Sequence, residues 1–182
     1  MKKALILLAF SVVLGACAQT GESAAGAGAS MAASGLSDAQ RHEGIGKLNG
    51  IAQELLDAHK LYDDAGKLAK DHEFKAALYD LAASRGKEAS DVQGHVRELR
   101  GRPVRQASAS SGWQSAWMNL KSVVESDTKA AVQQVLSHED GIIRLLTNDL
   151  DDERLADSTK NYIRAIRDRV HGDRDRIANL KS

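Results

Sequence analysis

Apolar residues recur every three or four positions over four long stretches of this chain, the spacing that lines one face of an α-helix. The sequence has one proline, Pro103, and no run in which β-branched residues alternate with polar ones. The pattern therefore predicts an all-α fold. A helix with a single apolar stripe buries that stripe only against other helices, so four such helices predict a four-helix bundle.

Helix-start and helix-stop signals divide this pattern into four helices. The starts are marked by a capping-box pattern at residues 37–40, by Asp71, by Asp127 and by the acidic run at 151–153. The second helix is predicted to end at Gly101, with Pro103 beyond it. Short links within the first and second pairs of helices force each pair to be antiparallel.

The link between helices two and three is longer and spans residues 102–126. It carries its own short amphipathic helix, with Trp113, Trp117, Leu120 and Val124 on one side. A segment of this length can run the length of the bundle, as the crossover of ferritin-like folds does, and we favour that topology over a simple up-and-down bundle. The tryptophan face is predicted to pack on the core, with a partner-binding face as the alternative.

The first residues are typical of a secretory signal: Met-Lys-Lys, then an apolar run from Ala4 to Val13. That run is shorter than the roughly 20 residues of a membrane-spanning helix, which is the alternative interpretation. The next residues, 14–17, read Leu-Gly-Ala-Cys and resemble a bacterial lipobox. The resemblance implies that residues 1–16 are removed and that Cys17 is lipidated, and Ala18 after it favours the outer membrane, facing the periplasm.

Residues 17–35 consist mostly of alanine, glycine and serine and have no periodic apolar face. Such a segment buries too little surface to offset its ordering entropy, so we expect a flexible tether. Residues 36–182 remain for the helical domain, which is an ordinary length for one domain.

Three segments of the helical domain resemble an uncharacterised bacterial family of ferritin-like four-helix proteins, a domain of unknown function. They are Gly-Trp-Gln-Ser-Ala-Trp-Met-Asn-Leu-Lys-Ser at 112–122, Leu-Asn at 48–49, and Arg-Glu-Leu-Arg-Gly-Arg-Pro at 97–103. The resemblance implies the bundle with its crossover and no established activity. Two features depart from the family: the lipoprotein signal, and His59, where the resemblance implies a carboxylate.

Polar residues inside the apolar stripes mark the places where chemistry is possible. Counting from the first turn puts His59 and Arg85 at nearly the same depth, with Glu88 one turn further and Glu139 near the middle of helix three. We predict a buried polar layer of these four residues, in which Arg85 pairs with Glu139 or Glu88.

The alternative for the same region is a site for a divalent metal such as iron. Its candidate ligands are His59, Glu88, Asp91, His95 and Glu139. The Glu-x-x-His motifs of ferritin-like di-iron sites are absent from the sequence. Arg85 would also put a permanent positive charge where the cation would sit, so we favour a layer without metal or another cofactor.

The charge balance bears on possible partners. The chain has 25 Lys and Arg and 25 Asp and Glu, and loss of Lys2 and Lys3 with the signal would leave 23 against 25. A nearly neutral protein lacks the electrostatic signature of nucleic-acid binding. No nucleophile elbow, phosphate loop or zinc signature is present. We therefore expect a non-catalytic envelope protein, anchored through Cys17 and able to bind an envelope partner, with an iron-handling protein as the alternative.

Overall fold

The computed structural model describes residues 35–108 and 111–180. Over this part of the chain the protein is all-α, with no strand and with five helices: α1 (Asp38–Leu68), α2 (His72–Glu98), α3 (Ser111–Lys121), α4 (Thr128–Leu150) and α5 (Asp157–Ala178). The predicted signal, the lipidation at Cys17 and the tether apart from Gly35 lie outside the described residues. Within the described ranges, no helix is both long and apolar enough to span a bilayer.

Three of the four predicted helix starts are confirmed by their caps. At α1 the capping box is complete: Ser37 Oγ accepts from the backbone N–H of Gln40, and the Gln40 side chain accepts from that of Ser37. Asp71 caps α2 through Phe74 N at 2.8 Å, and Asp127 caps α4. Each carboxylate or hydroxyl satisfies an N–H group that the helix itself leaves without a partner.

The start of α5 differs from the prediction. The acidic run at 151–153 lies in the turn before the helix, and α5 begins at Asp157. Asp152 accepts from both the backbone N–H and the side chain of Arg154, at 3.0 and 2.9 Å. These bonds hold the acidic run in a turn that closes the α4–α5 hairpin.

The long helices form two antiparallel hairpins, α1 with α2 and α4 with α5. Lys47 near the start of α1 contacts Asp149 near the end of α4, so α1 and α4 are antiparallel as well. His95 near the end of α2 stacks on Tyr162 near the start of α5, so α2 and α5 are antiparallel too. Taken in chain order, the long helices therefore run up, down, down and up.

This arrangement requires the segment between α2 and α4 to travel along the molecule. It begins beside Asn49, whose side chain accepts from Val104 N and donates to Arg102 O. It ends near the far end of α1, where Lys70 lies 3.5 Å from Glu125. From Asn49 to the end of α1 the helix rises about 30 Å. Over its described residues, the segment between α2 and α4, called the crossover below, therefore runs lengthwise along α1.

Three polar side chains, spaced four residues apart on α1, hold the first part of the crossover. After Asn49 comes Gln53, which donates to Gln106 O at 3.0 Å. Asp57 then accepts from Ser108 N at 2.5 Å and from Ser108 Oγ at 2.6 Å. These bonds satisfy the polar backbone of an irregular segment laid against a helix, and they explain why Asp57 is buried.

The second part of the crossover, α3, packs against α1 and α4. Leu120 and Val124 are buried in the core, and Trp117 packs on it. Trp113 is half-buried, with Lys60 Nζ 5.6 Å from the centroid of its ring. The tryptophan side of the segment faces the molecule, as predicted, and Met118 on the other side is exposed.

The end of α2 is a Schellman motif whose left-handed residue is Arg100, at φ 61°. Arg100 N donates to Arg97 O and Gly101 N to Val96 O, the two bonds that define the motif. The prediction put glycine at the helix end because glycine tolerates left-handed backbone, yet Gly101 comes one position later. Position 101 requires glycine because there is no room for a side chain: a Cβ there would lie 2.8 Å from Ile45 Cγ1 and 2.9 Å from Val96 Cγ1.

We expect Gly101→Ala to lower the free energy of unfolding by about 1 to 3 kcal/mol, because the added methyl group overpacks the contact between α1 and α2. Arg100→Gly is the matched control. It relieves the left-handed backbone and is expected to be neutral or to stabilise by up to about 1 kcal/mol. Urea unfolding of both variants measures the difference. Equal effects at the two positions would contradict the packing explanation.

Candidate functional site: a buried charged layer

The guanidinium group of Arg85 lies at the centre of the molecule and is fully buried. Its Nη1 donates to Glu88 Oε2 and to Asp173 Oδ2, both at 2.9 Å. Its Nη2 and Nε donate to the two carboxylate oxygens of Glu139. Arg85 therefore joins α2 to α4 through Glu139 and to α5 through Asp173, and all three of its carboxylate partners are themselves buried.

Each of these carboxylates has a further partner outside the Arg85 contact. Glu88 accepts from Arg169 Nε at 3.2 Å, and Glu139 accepts from the hydroxyl of Tyr62 at 2.6 Å. Asp173 accepts from two further side chains, from Ser84 Oγ at 2.7 Å and from Arg176. The layer thus contains three carboxylates and three arginines, Arg85, Arg169 and Arg176, and its formal charges balance.

The local fold explains why these polar groups meet. Glu88 follows Arg85 by three residues, so both lie on one face of α2. Glu139 occupies the buried face of α4 between Leu136 and Ile142, and Asp173 occupies that of α5 between Val170 and Ile177. The helices that bury these faces also bury the charges, and each charge needs its partner because an unpaired buried ion is costly.

The electrostatics of the layer follow from burial and pairing. Burial opposes the charge on Arg85, but Glu139 and Glu88 outweigh it and raise the pKa of the guanidinium. Burial raises the pKa of Glu88 even though Arg85 and Arg169 oppose that shift. For Asp173 the hydrogen bond from Ser84 and the charge of Arg85 outweigh burial, so its pKa is lowered.

Tyr62 extends the layer to His138 on α4. Burial and the neighbouring Glu139 raise the pKa of the Tyr62 hydroxyl, so the hydroxyl keeps its proton, which it donates to Glu139. His138 Nδ1 lies 2.9 Å from the same oxygen. Because the only hydroxyl proton goes to Glu139, Nδ1 must carry a proton and donate it to Tyr62. Burial also lowers the pKa of His138 to about 4, so the ring is neutral and its Nε2 is unprotonated.

The structure brings Arg85, Glu88 and Glu139 together, but it does not bring His59 into the layer. His59 is exposed, with Nδ1 2.7 Å from Ala82 O and the ring against Gly86. It has the predicted depth along α1 but points into the outer groove between α1 and α2. The position facing the layer is taken by Tyr62, one turn later.

Two other predicted metal candidates also lie outside the layer. Asp91 is exposed and pairs with Lys87 at 2.6 Å. His95 pairs with Glu98 at 2.6 Å and stacks on Tyr162. In the described ranges, no three histidine, cysteine, aspartate or glutamate side chains converge as a metal site. The two remaining candidates, Glu88 and Glu139, are both bound to Arg85.

The sequence patterns did not predict that Tyr62, His138 and Asp173 belong to this region, nor that Arg169 and Arg176 pair with its carboxylates. Tyr62 and Asp173 lie at positions in line with the apolar residues of their helices, and a carboxylate between Val170 and Ile177 signals a buried charge as clearly as Glu139 does. His138 lies off the apolar stripe of α4, so periodicity does not single it out. Its only signal is that it precedes Glu139, and which neighbour it contacts depends on tertiary packing.

The family described as Domain of unknown function (DUF2383) matches residues 43–152, more than half of the chain, and the protein belongs to this family. The match covers most of α1, all of α2, α3 and α4, and therefore Arg85, Glu88 and Glu139. It ends before α5, which supplies Asp173. No curated protein matches the chain significantly, and neither does any solved structure.

Proposed function

We propose that this protein is a lipid-anchored, non-catalytic component of the bacterial cell envelope, built as a ferritin-like four-helix bundle. Two observations support the bundle. The four long helices run up, down, down and up, and a crossover travels lengthwise between the two hairpins. That direction pattern is the one a ferritin-like connection requires.

The non-catalytic role is supported chiefly by Arg85. In ferritin-like metal carboxylate proteins, side chains from the four helices converge on ions in the core. Here a guanidinium occupies the centre and binds the carboxylates of three helices. Those carboxylates are occupied by hydrogen bonds and balanced in charge, so none is available as a nucleophile or general base. The layer acts as an internal brace that fixes how the two hairpins dock.

The anchor and location complete the proposal. The lipobox-like residues at 14–17 and the alanine, glycine and serine tether at 17–35 support attachment through lipid on Cys17. Several acyl chains would hold the protein firmly, since each buried methylene contributes about 0.8 kcal/mol. We propose that the domain faces the periplasm from the outer membrane, where its surface is available to an envelope partner.

We expect Cys17→Ser to leave the protein unprocessed or to release it from the lipidated membrane fraction, because a hydroxyl cannot take the place of the acylated thiol. Membrane fractionation and the mass of the N-terminal fragment measure both outcomes. Ala18→Ser is a matched neighbouring control and should remain lipidated. Normal processing and acylation of the Cys17→Ser variant would contradict the anchor.

An iron-handling protein is the second candidate, and one observation favours it. Glu88, Glu139 and Asp173 converge from three helices, and carboxylate oxygens are ligands that iron accepts. The presence of Arg85 among them argues against it. Stoichiometric iron that copurifies with the protein and is lost in Glu139→Gln would favour this candidate over the first.

A further inference from the structure

A largely apolar cavity of about 280 Å³ lies between α2 and α5. Leu81 and Ile177 are buried in its wall, and Ala76, Ala77 and Leu180 complete the apolar lining. The volume is close to the lower end of the range for pockets that hold small molecules, about 300 to 1,000 Å³. A stable protein interface uses about 20 to 30 residues on each partner, whereas nine described residues line this cavity. The cavity therefore fits a small molecule better than a protein partner.

Two exposed carboxylates of α2, Glu73 and Asp80, line this cavity. No described residue forms a hydrogen bond or an ion pair with either side chain. The other acidic residues of α2 each have a basic partner: Glu88 pairs with Arg85, Asp91 with Lys87 and Glu98 with His95. The carboxylates without a partner on this helix are therefore the two that face the cavity.

The charge and spacing of these carboxylates define the ligand that would complement them. Asp173 and Arg176 also line the cavity, but they pair with each other. Glu73 and Asp80 therefore leave the cavity with two uncompensated negative charges. They are seven residues apart, which puts them on one face of α2 and about 10 Å apart along its axis. Apolar surface separates them, because Ala76 and Ala77 lie between them on the helix.

We propose that this cavity binds a linear aliphatic compound with two ammonium groups, a diamine or polyamine. One ammonium group binds Glu73 and the other binds Asp80, since each ammonium has three donors and each carboxylate is a free acceptor. The methylene chain between them packs on Leu81 and Ile177, which removes apolar surface of both partners from water. The cavity borders the charged layer at Asp173 and leaves its contacts in place. The proposal does not depend on the envelope role proposed above.

Calorimetric titration of the full-length protein with α,ω-diaminoheptane tests the proposal. When extended, this seven-carbon diamine matches the spacing of the two carboxylates. The titration is made at low ionic strength, because salt screens exposed ion pairs. We expect saturable binding, with half-saturation at about 1 mM or below. Heptylamine has the same chain and one ammonium group, and it should bind about threefold more weakly because it forms one ion pair fewer.

Glu73→Gln and Asp80→Asn are each expected to weaken diamine binding about threefold, and the double variant about tenfold. The matched control is the double variant Asp91→Asn with Glu98→Gln, which removes two exposed carboxylates at the same spacing on α2 but outside this cavity. It should bind the diamine as wild type does.

All four positions are exposed, so these variants should fold, and circular dichroism checks that they do. Three results would overturn the proposal: no saturable binding to wild type up to about 10 mM diamine, unchanged affinity in the Glu73→Gln and Asp80→Asn double variant, or heptylamine binding as tightly as the diamine. An equal loss of affinity in the control double variant would also overturn it, because binding would then follow net charge and not this cavity.

Discussion

Glu139→Ala is expected to lower the free energy of unfolding by about 3 to 5 kcal/mol, the usual cost of removing one partner from a buried ion pair. Glu139 is fully buried and accepts from both Arg85 and Tyr62. Its removal leaves Nε and Nη2 of a guanidinium that solvent cannot reach without their acceptors, and it leaves the Tyr62 hydroxyl without its acceptor. The loss should appear in urea unfolding as a lower midpoint with a similar slope.

The measurement is made once in EDTA and once without EDTA in the presence of added iron. Glu153→Ala is the matched control, because this glutamate is exposed in the α4–α5 turn and should change stability by about 0.5 kcal/mol at most. A deficit in Glu139→Ala that appears only when iron is present would contradict the structural brace and favour a metal layer.

Arg85→Met is expected to cost at least as much at neutral pH, about 3 to 5 kcal/mol or more, because it leaves three buried carboxylates facing one another. Its effect also depends on pH. Burial already raises the pKa of Glu88, and the charge of Arg85 is the largest single effect that lowers it, so the variant should raise that pKa further. A carboxyl whose folded pKa is raised destabilises the fold above that pKa and stops doing so when protonated.

The deficit of Arg85→Met relative to wild type should therefore be largest at pH 7 to 8 and shrink as the pH falls towards 5. Urea unfolding across this range measures it. Arg164→Met is the matched control on the exposed face of α5 and should differ from wild type by about 0.5 kcal/mol at most at each pH. A deficit in Arg85→Met that stays constant with pH would mean that the carboxylates do not depend on Arg85.

Helix positions could be predicted from the sequence because capping and periodicity are local. Ser37, Asp71 and Asp127 accept from backbone N–H groups three residues later in the chain. Because both partners are close in the sequence, the sequence alone predicts these caps. The start of α5 is the exception, because its position could not be predicted from local signals. Its acidic run is bonded to Arg154 in a turn, and no local rule decides between a turn and a first helical turn there.

The charged layer could be predicted only in part, because the position of a residue along a helix does not fix the direction in which its side chain points. Counting residues from a turn places His59 and Arg85 at the same height, and their helices do meet there through Ala82 and Gly86. Counting does not fix the rotation of α1 about its axis. That rotation turns Tyr62 inward and His59 outward, and it is set by the packing of all the helices together.

The crossover between α2 and α4 could also be predicted only in part. Its length and its tryptophan spacing predict a lengthwise segment with a packed helix. The side chains that attach it, Asn49, Gln53 and Asp57, bond backbone groups about 50 residues away. Their spacing of four residues marks one face of α1, but only the folded chain reveals that this face meets another segment.

Arg85 and Glu139 stabilise the fold through the ion pair that they form with each other, and a double-mutant cycle tests this coupling most directly. Arg85→Met, Glu139→Ala and the double variant are unfolded in urea at pH 7 with EDTA. We predict that the double variant loses at least about 2 kcal/mol less than the two single losses added together, because each single change takes a buried charge partner away from the other residue. Losses that add to within about 0.5 kcal/mol would contradict the claim.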